Sequence, residues 1–236
     1  MSQSSARPDL PRIAVIGCGG LGVPAAWTLC LGGVRRLRLI DPDCVELSNL
    51  HRQVAFRTAE VGAPKTTALA GFLQRSFAGV DVEVRPVAFA DATATALLDG
   101  CGAALEGSDD AGAKFLANDH CVALGLPVII AAAIGRRGQW FGALPAGPCY
   151  RCLFEAPPAA ADLATCAVAG VLGPVVGQVG SLAARSLLRH LLQRPDAAHG
   201  ALVRLENRGL LRTVPARAAD CPACGMSPLP SALHSR

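Results

Sequence analysis

Apolar and polar positions alternate along this chain in blocks that predict strands and helices in turn. The β-branched run from Arg12 to Ile16 predicts a first strand, a glycine-rich stretch follows, and residues 20–31 carry helical spacing. The series continues as strand 37–40, helix 64–77, strand 81–87, helix 92–99, strand 102–105, helix 111–124, and strands 127–131 and 138–144. Pro64 opens one helix, and Gly125-Leu126-Pro127 closes another. Such alternation predicts an α/β fold: a Rossmann-like, mostly parallel sheet with helices on both faces.

The character changes after Pro145. A stretch rich in Pro, Gly and Cys runs to Pro158, and an uncharged apolar segment leads into a basic helix ending near Arg194. Two further strands are expected at 201–205 and 210–214. The chain therefore reads as a single domain over 1–225, with a first half at 12–144 and a second at 145–225 laid over it as a lid. Residues 226–236 read as a frayed tail.

Length and composition agree with one domain. At 236 residues and 24.2 kDa, with 51% hydrophobic residues, the chain buries a core without staples. The 22 basic residues against 18 acidic ones are scattered, and aromatics make up only 4%, so nucleic acid is not an expected partner. Met1 to Pro11 holds no apolar run, which points to a cytoplasmic protein. Leu163 to Ala184 is long enough to cross about 30 Å of hydrocarbon. Its five interruptions by Gly and Pro (Gly170, Gly173, Pro174, Gly177, Gly180), together with Gln178, argue for a buried loop and helix instead of a membrane span.

Candidate chemistry begins at Gly17-Cys18-Gly19-Gly20-Leu21-Gly22, between the first strand and helix. Gly17 permits a tight turn, Gly19 and Gly20 let the backbone approach a phosphate, and Gly22 lets the helix pack on the strand. The second strand ends in Asp41, at the place where a dinucleotide fold sets the acid that holds a ribose hydroxyl. NAD and ATP fit these features equally.

Ten cysteines without a secretory signal favour metal or catalysis over disulfides. Cys149 with Cys152, and Cys221 with Cys224, form two CxxC knuckles, the donor set of a closed tetrahedral zinc site that fastens the C-terminal extension to the middle of the fold. Cys18, Cys30, Cys44, Cys101 and Cys121 read as packing residues.

The choice of nucleotide turns on Ser48-Asn49-Leu50-His51-Arg52-Gln53 and Lys65, because a hydride-transfer enzyme has no evident use for so many phosphate-directed groups. In order, the GxGGLG turn, Asp41, the SNLxRQ segment and Lys65 resemble the ubiquitin-activating-enzyme-like superfamily, specifically the MoeB/ThiF/HesA adenylyltransferases. The resemblance covers about Arg12 to Gly225. It implies ATP-dependent adenylation of the C-terminal Gly-Gly carboxylate of a small ubiquitin-fold sulfur carrier, with release of pyrophosphate. It also implies a homodimer, and a separate sulfur donor is expected because no rhodanese-like segment follows in this chain.

By the same resemblance, Arg52 and Lys65 supply cations to the phosphates, while Asn49 and Gln53 supply orienting hydrogen bonds. Glu106-Gly107-Ser108-Asp109-Asp110 resembles the family's DxxDN motif, which makes Asp109 the Mg²⁺ ligand with Asp110 beside it. Glu106 is left without a role, as out of register with the motif's first acid. Thr165-Cys166-Ala167-Val168-Ala169-Gly170 resembles the family's crossover segment, which implies a covalent role for Cys166. The sequence departs from the pattern at His51, at Asp110 in place of Asn, and in the short stretch before the first strand, where Arg7 stands for the family's trans-acting arginine. Two competing readings remain: an NAD-dependent oxidoreductase, and a non-catalytic nucleotide-binding scaffold for a carrier protein.

Overall fold

The computed structural model describes residues 9–158, 170–194, 200–206 and 209–225. Its framework is one eight-stranded sheet. The strands are β1 (Ile13–Ile16), β2 (Arg36–Ile40), β3 (Asp81–Arg85), β4 (Ala103–Glu106), β5 (Val128–Ile134), β6 (Arg137–Ala143), β7 (Leu202–Glu206) and β8 (Gly209–Thr213). Their spatial order is β3-β2-β1-β4-β5-β6-β7-β8. The first five pair in parallel and the last three continue the sheet antiparallel.

Among the described residues five α-helices cover the sheet: α1 (Gly22–Leu31), α2 (Lys65–Ser76), α3 (Asp91–Leu98), α4 (Ala111–Ala123) and α5 (Gly173–Leu191). Successive strand residues face opposite sides, so β1 feeds two cores. Ile13 and Val15 join Leu37, Leu39 and Ile129 beneath α1, α2 and α5. Ala14 and Ile16 join Ile40, Ala104 and Ile130 beneath α3 and α4. The central strands are therefore apolar throughout, as parallel strands covered on both faces must be.

Register places the site. Ile16 lies beside Ile40 on one flank and Glu106 on the other, and Glu106 lies beside Ile130. The segments after β1, β2 and β4 thus leave the sheet along one line at its C-terminal edge. The order reverses between β1 and β4, and an open α/β sheet binds ligands at such a switch point.

Elements sit within a few residues of their expected positions, with two informative differences. The strand expected at 127–131 runs on to Ile134. Ala131, Ala132 and Ala133 carry weak strand preference alone, but pairing with Trp140, Gln139 and Gly138 holds them in the ladder. The turn to β6 is closed at Gly135, whose φ is +56°. The second half is also no lid: β7 and β8 extend the sheet, and α5 packs between α1 and strands β5 and β6. A methyl group on Gly180 would fall 2.3 Å from Leu21 O, so glycine is what lets α5 come this near the start of α1.

No helix among the described residues is long and apolar enough to cross a membrane. The stretch from Leu163 to Ala184 divides into residues 163–169, outside the described set, a bridge from Val171 to Gly135, and the N-terminal part of α5.

Candidate functional site

The glycine turn stands where the two switch-point segments meet. Gly17 adopts φ +85° and donates its N–H to Ile40 O at 2.8 Å. A methyl group there would lie 2.6 Å from Ser108 N, and one on Gly22 would lie 1.8 Å from Gly17 O. Both positions therefore exclude a side chain. A methyl on Gly19 would reach 3.5 Å from Gln53 Nε2, and one on Gly20 would lie 3.0 Å from Val176 Cγ2 and 3.6 Å from Arg52 Cδ. The turn, the 49–53 segment, the 106–110 segment and the first turn of α5 consequently share one locus.

Asp41 is buried at the end of β2 and accepts N–H groups from Cys18 at 2.6 Å and Asp43 at 2.8 Å. It ties the glycine turn to the β2 loop. Burial pushes its carboxyl up, while the Cys18 and Asp43 N–H groups and the Lys65 ammonium pull it back. Lys65 opens α2 and is buried, with Nζ 2.7 Å from Asp43 Oδ2. Arg52 is half-buried and makes no ion pair among the described residues. Asn49 Nδ2 donates to Glu46 Oε2 at 3.3 Å. Gln53 is buried, and its Oε1 has no hydrogen-bond partner among the described residues. Leaving such an atom unsatisfied costs about 1–3 kcal/mol, so a donor arriving with a ligand would be favoured there.

On the other side, Asp109 is exposed at the C-terminal edge of β4. Asp110 is the N-cap of α4, its Oδ1 accepting Gly112 N at 2.7 Å. That bond occupies one oxygen of Asp110, and among the described residues Asp109 is the acid of this segment without a partner. Glu106 lies three positions before Asp109, which places it in register with the first acid of DxxDN and corrects the sequence reading. It is fully buried: Oε1 accepts Ser108 N at 2.8 Å and the Ser108 hydroxyl, and Oε2 lies 2.6 Å from Lys114 Nζ. Lys114 also donates to Ser108 O and Ala131 O. Burial pushes the Glu106 carboxyl up, against the pull of Lys114 and Ser108.

The four knuckle cysteines converge on the face of the sheet that carries α3 and α4. Their sulfurs all lie within 4.8 Å of one another, with Cys149 and Cys221 at 3.5 Å and Cys152 and Cys224 at 3.4 Å. Tetrahedral zinc at about 2.3 Å from each thiolate requires sulfurs about 3.8 Å apart, so the donor set fits. Burial pushes the Cys149 and Cys224 thiols up, whereas at Cys221 the backbone N–H groups of Cys224 and Ala223 outweigh burial and bring the thiol down to about 7.

The first knuckle is braced by α4. Tyr150 N donates to Asn118 Oδ1 at 2.7 Å, Arg151 grips both oxygens of Asp119, and the Arg151 guanidinium lies 5.1 Å from the Phe115 ring centre. Ala218 N approaches Cys152 Sγ at 3.5 Å. Of the cysteines expected to pack, Cys18, Cys30, Cys101 and Cys121 are buried, and burial raises each thiol. Cys44 is exposed, because its segment is a surface loop bridging to Pro64. Cys166 and Arg7 lie outside the described residues.

The sequence reading assigned no role to Asp43, Lys114, Asn118, Asp119 or Val176. Only Lys114 carried any signal: a lysine on the buried side of a predicted helix needs a counter-charge.

The sequence model of the ThiF family matches residues 9–225. The chain belongs to the ThiF family. It is 37% identical to the adenylyltransferase and sulfurtransferase MOCS3 of Sus scrofa over 98% of its own length and 52% of the relative's. It spans about half the length of the MOCS3 relatives it matches. It is 36% identical to the SAMP-activating enzyme E1 of Haloferax volcanii, covering 91% of this chain and 80% of that protein. It is 37% identical to the sulfur carrier protein adenylyltransferase of Thermus thermophilus, covering 92% and 83%. Among solved structures, E. coli MccB with ATP superposes with a TM-score of 0.80 at 19% identity, over 92% of this chain and 67% of MccB. That likeness establishes a shared fold.

Proposed function

We propose that this chain binds ATP with Mg²⁺ at the switch point between β1 and β4 and adenylates the C-terminal glycine carboxylate of a small ubiquitin-fold sulfur carrier. A carboxylate oxygen of the carrier attacks the α-phosphorus, the bond from that phosphorus to the β-phosphate bridge breaks, and pyrophosphate leaves. A C-terminal carboxylate with an ordinary value of about 3.5 is already ionised at neutral pH, so the protein needs neither nucleophile nor base. Its task is alignment and charge compensation.

The observation that carries this reading is convergence: one glycine turn leaves no more than the room of a side chain between itself and Gln53 and Arg52 on one side and Ser108 on the other, next to exposed Asp109. Gly17, Gly19, Gly20 and Gly22 let the backbone close on the phosphates. Asp41 offers its remaining lone pairs to the ribose. Arg52 and Lys65 face phosphate oxygens, Gln53 and Asn49 orient them, and Asp109 holds Mg²⁺ with Asp110 beside it. An NAD-dependent reaction would leave Arg52 and Lys65 without a purpose. The names of the Thermus and Haloferax relatives support the carrier as substrate.

The carrier's tail has a route. Ala132 to Ile134 extend beyond Ile130, the register partner of Glu106, and flank a cavity of about 320 Å³ that also meets Gly138, Arg137 and Arg204. Small residues suit a glycine tail on its way to the α-phosphate, and Arg137, Arg204 and Glu206, the last 3.7 Å from Arg204, suit polar groups of the segment before it. We assign a homodimer and zinc at the four knuckle cysteines to the same proposal.

Calorimetric titration with ATP plus Mg²⁺, and separately with NAD, tests the site without any partner. The expected result is ATP binding that weakens about tenfold or more in Arg52→Ala, the loss of a charge-assisted hydrogen bond. NAD binding in place of ATP would overturn the proposal.

A further inference from the structure

Lys65 and Asp43 form an ion pair whose two halves are unequally placed. The Lys65 side chain is 7% exposed and the Asp43 side chain 61%. A buried ammonium requires an anionic or hydrogen-bonding partner, and among the described residues Asp43 Oδ2, at 2.7 Å, is the partner of Nζ. The Asp43 backbone is pinned on both sides: its N–H donates to Asp41 Oδ1 at 2.8 Å and its carbonyl accepts Lys65 N at 2.9 Å. Among the described residues its carboxylate has no such anchor beyond Lys65. Released from the pair, it turns into water with its backbone unmoved, whereas Lys65 cannot leave its place without a substitute anion.

We propose that the Asp43 carboxylate is a built-in stand-in for phosphate. It holds the Lys65 ammonium while no nucleotide is bound and yields it to an oxygen of the triphosphate. Asp43 is thus a positioning residue, and its charge sets how tightly the site grips phosphorylated ligands while leaving the grip on the nucleoside unchanged. The inference rests on the ATP site proposed above and adds the competitor that ATP must displace. No bond is made or broken in the exchange: Lys65 keeps its proton and changes only its acceptor. Asn at position 43 preserves the backbone bonds to Asp41 and Lys65 and removes only the charge.

A double-mutant cycle read by calorimetry tests this, with ATP plus Mg²⁺ and adenosine as ligands and wild type, Asp43→Asn, Lys65→Met and the double variant as proteins. Asp43→Asn is expected to bind ATP about three- to fivefold more tightly, the worth of a partly exposed pair, with adenosine unaffected. In the Lys65→Met background the gain should vanish, because the pair it relieves is already gone. Weaker ATP binding by Asp43→Asn would overturn the inference and make Asp43 a direct ligand of nucleotide or metal. An equal gain in both backgrounds would overturn it too, reducing Asp43 to a general field effect. Failure of the underlying site looks different: wild type would not bind ATP, or Lys65→Met would bind it as wild type does.

Discussion

Lys114 Nζ lies 2.6 Å from Glu106 Oε2 in the interior of the protein, and this pair shapes the turn that carries Asp109. Glu106 holds Ser108 N from one side, while Lys114 holds Ser108 O and Ala131 O from the other, so β4, α4 and β5 are joined behind an exposed acid. The geometry of Asp109 is therefore set by residues that never face the ligand.

Removing one half of this pair should be costly in a pH-dependent way. Lys114→Met leaves Glu106 buried without its cation, at about 3–5 kcal/mol when the carboxylate is charged. Burial already pushes the Glu106 carboxyl up, and losing the ammonium pushes it further. An acid raised by folding contributes stability below its unfolded value and loses it as pH climbs through the folded one. The variant's deficit should accordingly be smaller near pH 5 than near pH 8. Urea unfolding of both proteins at the two pH values measures it, and a deficit independent of pH would show that Glu106 stays ionised.

A second prediction concerns the zinc knuckle. Arg151 clamps Asp119 at 2.7–2.9 Å and sits between the two cysteines of the first knuckle. Asp119→Ala removes the clamp without touching a sulfur. Because outer partners of metal ligands are worth about 10–100-fold in affinity, zinc should pass to a competing chelator correspondingly more readily than from wild type, which should hold about one zinc per chain. Equal retention would mean that Tyr150 and Asn118 brace the knuckle alone.

Much of this was legible in the sequence, for identifiable reasons. Strand β1 is a short β-branched run, β2 alternates Arg with Leu before Ile40, the glycine turn has its glycines at fixed offsets, and CxxC pairs need no context to be seen. The hairpin of β5 and β6 was cut short because Ala131 to Ala133 owe their strand conformation to partners across the ladder. The second half reads as a lid in the sequence because its Pro, Gly and Cys content describes local backbone and says nothing of which sheet edge β7 joins. Asp43 and Asp119 escape for a related reason: an isolated acid has no periodicity, and the cations that give these acids meaning lie 22 and 32 residues away. Glu106 is visible in the sequence and is set aside there only on its register; its counter-charge, Lys114, lies 8 residues on.

Asp109 offers a clean separation of folding from chemistry. It is exposed and unpartnered among the described residues, so Asp109→Asn should change stability by no more than about 0.5 kcal/mol. Carrier-dependent exchange of pyrophosphate into ATP should nevertheless fall on the order of a hundredfold, as when one charge-stabilising contact is removed from a transition state. Normal exchange in the variant would refute Asp109 as the Mg²⁺ ligand.

If Cys166 acts covalently, as the family's crossover segment implies, its thiolate attacks the acyl-adenylate carbonyl, AMP leaves and a thioester forms. Cys166→Ala should then keep pyrophosphate exchange yet lose a thiol-sensitive adduct seen by denaturing electrophoresis. Absence of that adduct from wild type would remove the covalent step.

The glycine turn allows the sharpest comparison, because two glycines share a conformation but not a setting. Gly17 and Gly62 have φ of +85° and +90°. A methyl group at Gly62 meets nothing within 4 Å, whereas one at Gly17 meets the backbone of Ser108 and Gly107 at 2.6–2.9 Å. Gly62→Ala should therefore show backbone strain alone, about 1 kcal/mol. Gly17→Ala must in addition push apart the segments after β1 and β4, and so should cost more stability and also weaken ATP binding. Thermal unfolding and nucleotide titration of the two variants measure both effects. If Gly17→Ala lost no more stability than Gly62→Ala and bound ATP normally, the contact between the turn and Ser108 would not be what shapes the site.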